Sequence, residues 1–200
     1  LGFLLSSLLH AQRFYFERLD VQNGLPTSKV YAVLQDSTGM VWIGGNGPGD
    51  SHILKFTQDG KFVAQYGKPN ARQSGTGPQG QPAFAAGSSD PTSFGRVAKV
   101  FVDPKANEAY VADGYLNRRV AVLDADTGKI KRFWGAYGKP PNDAPEGRYD
   151  PAAPPSPNFR NPVHCADLSN DGFVYVCDRL NDRLQVFRAD GTFVKEAFID

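Results

Sequence analysis

VAKVFVDPKANEAYVADG (97–114), followed four residues later by RVAVLDADTGKIKRFWG (119–135), decides the fold. Val, Phe, Tyr and Ala alternate or run in stretches of four to six, and Pro-Lys-Ala-Asn and Thr-Gly interrupt them. That is the signature of short β-strands joined by tight turns. Two other segments carry the same pattern. One is VYAVLQDSTGMVWIGG (30–45) with HILKFTQDGKFVAQYG (52–67), and the other is VHCADLSNDGFVYVCDR (163–179) with RLQVFRADGTFVKEAFI (183–199). Trp42 and Gly67 lie 25 residues apart, as do Tyr110 and Gly135, and the same step from Tyr175 reaches Asp200. No stretch of comparable length has the 3.6-residue period of a helix. Each unit therefore reads as a four-stranded antiparallel meander. A lone meander cannot bury both faces, so the units must stack side by side.

The fold class expected is an all-β propeller with blades at about 25–67, 97–135 and 163–200, separated by loops at 68–96 and 136–162. Propellers close with about four to eight blades, so three blades read as part of a larger, six-bladed ring. The 21 Gly and 15 Pro belong to the turns and the two loops. With 22 Lys+Arg against 21 Asp+Glu, the net charge of +1 lacks the clustered cations of a nucleic-acid or polybasic membrane surface. LGFLLSSLLHAQ (1–12) is too short to span a bilayer. It reads as the apolar core and cleavage site of a truncated signal peptide, which predicts an extracytoplasmic protein, periplasmic or secreted.

The blades at 97–135 and 163–199 resemble NHL repeats in V-x-V-D-P, Y-V-A-D-G-Y-x-N-R-R-V, D-x-x-T-G-K and a terminal W-G. They look most like the secreted bacterial group related to the peptidyl-hydroxyglycine amidating lyases. That resemblance implies a six-bladed propeller whose channel zinc is held by His residues from several blades, near a Tyr and an Arg. By resemblance, His164 in NPVHCADL matches a zinc ligand, Tyr115 in VADGYLNRR the catalytic Tyr, and Arg179 in VCDRLNDR the substrate-side Arg. The chain departs from the pattern at Thr27–Ser28, where a further His would stand. Residues 13–44 resemble a different group, the sensor propellers of two-component regulators, through Asn23-Gly24-Leu25-Pro26 and Q-D-x-x-G-x-x-W-I-G. The two resemblances meet near Val41.

Read from the residues, a four-residue loop over 169–172 pairs Leu168 with Phe173. That pairing sets His164 opposite Cys177, near Asp178, Arg179 and Tyr115. In this register Cys165 and Cys177 point to opposite faces and remain two buried, unpaired thiols. Asp113, Arg119 and Asp178 are candidates for a ligand-binding rim; the alternative is that solvated cations at the strand ends pair with Asp113, Asp178 and Asp182. His52 reads as a turn cap. GGNGPGD (44–50) lacks the G-K-[ST] of a phosphate loop, and the Asp-rich turns nowhere complete a calcium loop.

Three functions follow as expectations. The first is a scaffold holding a peptide, small-molecule or protein ligand on one face. The second is a zinc-dependent lyase with a site incomplete in this chain, and the third is a periplasmic sensor input. No cofactor is certain; zinc belongs to the lyase alternative.

Overall fold

The structure is a computed structural model that describes residues 30–72 and 87–199. The signal-peptide reading of 1–12 and most of the regulator motif lie outside the described residues.

The alternating segments form three four-stranded antiparallel sheets in the predicted meander order. Blade 1 comprises β1 (Val30–Gln35), β2 (Val41–Gly45), β3 (His52–Phe56) and β4 (Phe62–Gly67). Blade 2 comprises β5 (Lys99–Asp103), β6 (Glu108–Asp113), β7 (Arg119–Asp124) and β8 (Ile130–Trp134). Blade 3 comprises β9 (Val163–Leu168), β10 (Phe173–Asp178), β11 (Arg183–Arg188) and β12 (Phe193–Phe198). The first strands adjoin one another, β1 against β5 and β5 against β9, so they line the inner side. No helix among the described residues is long and apolar enough to cross a membrane.

Stacking explains the hydropathy of each strand. Blade 2 is covered on both sides, and every residue of β6 is buried. One face packs Val111, Ala121 and Leu123 against Trp42, Ile53 and Tyr66 of blade 1. The other packs Tyr110, Val120 and Trp134 against Val163, Val176 and Phe187 of blade 3. A strand buried on both faces needs a continuous apolar run rather than strict alternation. The turn after β7 approaches blade 1 so closely that a Cβ on Gly128 would lie 1.9 Å from the Tyr66 ring. The Tyr66 hydroxyl donates to the carbonyls of Ala125 and Asp126 at 3.0 and 3.2 Å. Burial pushes that phenol up to about 12.

One expected register is corrected. Leu168 pairs with Val174, not Phe173, and Cys165 stands directly opposite Cys177. The two are joined in a disulfide, not held as free thiols. The cause is Gly172 at φ +82°. With Ser169 N–H bonded to the Phe173 carbonyl and Gly172 N–H to that of Ser169, the turn takes up one more residue of the second strand. A one-residue slip exchanges every side chain between faces, which brings the two sulfurs together.

Candidate functional site

The connections from second to third strand lie on the same side as the starts of the inner strands. In blade 2 this corner reads Asp113-Gly-Tyr-Leu-Asn117-Arg-Arg119, and in blade 3 Asp178-Arg-Leu-Asn181-Asp-Arg183. Asp113 accepts hydrogen bonds from Asn117 Nδ2 (2.6 Å), Arg119 Nε (2.9 Å) and the Gly95 N–H (2.6 Å). Asp178 repeats the set with Asn181 (2.7 Å), Arg183 (2.8 Å) and the Arg160 N–H (3.0 Å). The guanidiniums then reach the carbonyls of the loop entering each blade. Arg119 donates to Ser88, Asp90 and Ser93, and Arg183 to Ser156 and Asn158. Burial pushes the Asp178 carboxyl up, against the donors of Asn181, Arg160 and Arg183 that favour its ionised form.

Asp113, Arg119, Asp178 and Arg183 are all buried, at 0–1% exposure. The first three therefore do not stand on an accessible rim, where the ligand-binding reading put them. The alternative pairing is found for Arg119 with Asp113 and Arg183 with Asp178, but both pairs are buried rather than solvated. The physical reason is the satisfied donor set: a fully hydrogen-bonded ion pair can be buried, whereas a lone charge cannot.

Above these locks lies an exposed cluster. The β9–β10 ladder shifts between Cys177 and Asp178, which pair with Cys165 and Val163, leaving His164 as the extra residue of a bulge. The β1–β2 ladder shifts in the same way and leaves Tyr31 extra. A bulge re-aims the side chain it carries. Tyr115, from the blade 2 corner, sits between the two. Its ring centroid lies 5.1 Å from Tyr31 and 5.9 Å from His164, edge to face in both cases. The Tyr115 hydroxyl is 3.2 Å from His164 Nε2. The structure thus brings Tyr115 and His164 together, with Arg179 close enough to act on both. Desolvation, then the Arg179 and Lys99 charges, hold His164 below its ordinary value, so the ring is neutral at neutral pH. Desolvation and the neighbouring Tyr31 push the Tyr115 phenol up. Tyr31 escaped sequence reasoning. The signal was present, because Lys-Val-Tyr-Ala at 29–32 aligns with Pro-Val-His-Cys at 162–165.

A neutral imidazole bonded to a phenol, with a guanidinium alongside, can exchange a proton and hold an anionic or polar group. Zinc fits poorly. Among the described residues no three His, Cys, Asp or Glu side chains gather as a ligand set. Cys165 is tied in the disulfide and Asp113 and Asp178 in ion pairs. His52, expected as a turn cap, is buried at 3% exposure, and desolvation lowers its pKa against the pull of Asp50.

The family model described as "Two component regulator propeller" matches residues 24–47, which reach into the first hairpin of blade 1. Among solved structures, a protein from Lactobacillus plantarum is 13% identical, with a TM-score of 0.50; the match covers 86% of this chain and 42% of that one. The computationally designed Ika8 protein is 10% identical at TM-score 0.48, covering 86% of this chain and 37% of that one. A streptogramin B lyase structure is 17% identical at TM-score 0.45, covering 88% and 56%. The chain spans about two fifths of the length of the first two. At such identities the Lactobacillus plantarum match speaks to fold alone. With the three stacked meanders, it defines the chain as all-β and propeller-like, with three blades among the described residues.

Proposed function

We propose that this chain is part of an extracytoplasmic NHL-type propeller that acts as a binding scaffold or sensor input. A peptide, small-molecule or protein ligand would be held over Tyr31, Tyr115, His164 and Arg179. The observation that carries this reading is the convergence of two bulged inner-strand residues and a corner tyrosine in one exposed cluster. Such convergent polar and aromatic groups on a rigid face are what a ligand site requires. The Cys165–Cys177 disulfide supports an oxidising compartment, and the match at 24–47 supports the sensor form of the reading.

The test is a thermal-shift screen of peptides, amines and sugars on the chain, repeated with Tyr115→Phe and His164→Ala. A ligand that raises Tm in the parent and at least tenfold less tightly in both variants supports the site. Hits that bind both variants unchanged refute it. The juxtaposition of Tyr115, His164 and Arg179 also favours the lyase reading. Stoichiometric zinc in a longer form of the protein, lost with His164→Ala, would support that reading, and zinc-free protein would refute it.

A further inference from the structure

Residues 139–150 form no strand or helix between β8 and blade 3. Two guanidiniums tie this strap down. Arg118 Nη1 donates to the Ala144 carbonyl at 2.7 Å, and Arg160 donates to that of Gly147 and pairs with Glu146. Between the strap and the corners of blades 2 and 3 lies a cleft of about 630 Å³, bounded by Arg118, Arg148, Tyr149, Arg160, Leu180 and Asp182. Its size falls in the range of small-ligand sites, about 300–1,000 Å³.

The walls differ in how much bonding capacity remains. Arg160 is spent on Gly147, Glu146 and Asn181. Arg118 is fixed by Asn161 and Ala144 through Nε and Nη1, which leaves Nη2 without a partner among the described residues. The exposed Arg148 guanidinium and the Asp182 carboxylate make no hydrogen bond or ion pair there either. Tyr149 and the half-exposed Leu180 supply apolar surface. A pre-positioned guanidinium with a second beside it suits a carboxylate. An unspent carboxylate on the same wall disfavours a ligand that is only anionic and accepts from hydroxyl donors instead. A ring with a carboxylate, several hydroxyls and an apolar face satisfies all three surfaces.

We propose that this cleft binds an acidic sugar, a uronate residue of a glycan. Its carboxylate meets Arg118 and Arg148, its hydroxyls donate to Asp182, and its apolar face lies on Tyr149. None of Tyr31, Tyr115, His164 and Arg179 lines this cleft, so the proposal does not depend on that cluster.

Calorimetric titration of the chain with methyl β-D-glucuronide and methyl β-D-glucoside tests the proposal, because the two probes differ only in the carboxylate. The glucuronide is expected to bind about tenfold or more tightly than the glucoside, the scale of one charge-assisted contact. Arg148→Ala should abolish that preference without changing the melting curve, since this side chain makes no bond among the described residues. Asp182→Asn should weaken both sugars; Asn also tolerates the left-handed φ of 45° found there. His164→Ala should leave glucuronide binding unchanged. Equal affinity for the two sugars, binding of neither, or a preference that survives Arg148→Ala would overturn the proposal.

Discussion

Blade 1 and blades 2 and 3 solve the same corner in two ways. In blades 2 and 3 the last residue of the second strand is an Asp, and the first of the third strand is its Arg. In blade 1 the corresponding pair is Gly45 and His52. The slot is still filled, because a Cβ on Gly45 would lie 2.1 Å from Asp50 Oδ2. Asp50 therefore delivers a carboxylate from the loop into the space that Asp113 and Asp178 occupy from the strand, and it accepts from the Gly47 N–H at 2.5 Å. The consequences differ in reach. Arg119 and Arg183 tie the entering loops, 26 to 31 residues away along the chain for Arg119, whereas the Asp50–Gly47 bond closes a turn of three. The difference falls where the regulator-type match ends, at residue 47. One meander backbone thus accepts a corner carboxylate delivered either from the strand or from the loop that follows it.

The comparison breaks most readily at the guanidiniums. Arg119→Met leaves the buried Asp113 carboxylate uncompensated and should cost about 3–5 kcal/mol, whereas His52→Gln in blade 1 should cost about 1 kcal/mol or less. Urea denaturation of both variants reads this, and equal losses would show that the lock is not special. Gly45→Ala comes next. Its methyl group must displace Asp50 from a well-packed corner, at about 1–3 kcal/mol, and the Gly47 amide should lose hydrogen-exchange protection.

The smallest effect is in pH. His52 has a folded pKa below its ordinary 6.5, so the unfolded chain binds more protons below that value. Its share of stability is present above pH 6.5 and is lost as pH falls towards the folded value. Glu108, by contrast, is held down to about 2, first by Arg132 and with help from Lys131. Arg132 also donates to the Ala189 carbonyl, so this carboxylate ties blade 2 to blade 3. Its contribution is present above the ordinary 4.5 and is lost only as pH falls towards 2. His164 in blade 3 is lowered in the same direction but is exposed, whereas His52 is buried, so acid should loosen blade 1 first. The two tryptophans report separately, Trp42 at the blade 1–2 junction and Trp134 at the blade 2–3 junction. The Trp42 indole resonance should broaden at higher pH than that of Trp134, and His52→Gln should reduce the gap.

Some of this was legible early. The twelve strands of the described residues, their meander order and their turns follow from alternation and from Asp-Gly and Thr-Gly pairs, all within a few residues of one another. The equal 25-residue spacing in the first two blades is less simple than it looked. Blade 2 has one residue fewer than blade 1 at the corner and one more in its outer turn. Blade 3 has a shorter corner without that compensation and reaches the matching position at Phe198, not Asp200. Of the candidate site, Tyr115 and His164 were read as neighbours, but through a register that was one residue wrong.

What the sequence determined by itself is the set of strands, because strand pattern and turn chemistry are local. Only the tertiary structure decided where the charges and sulfurs went. Asp113 and Arg119 look like surface groups until the entering loop supplies three carbonyls. Cys165 and Cys177 meet because a glycine turn shifts the ladder by one. Tyr31, Tyr115 and His164 converge because two bulges turn side chains from different blades towards one point. Each outcome depends on contacts between distant segments or on a single residue of register, and neither leaves a periodic trace in the chain.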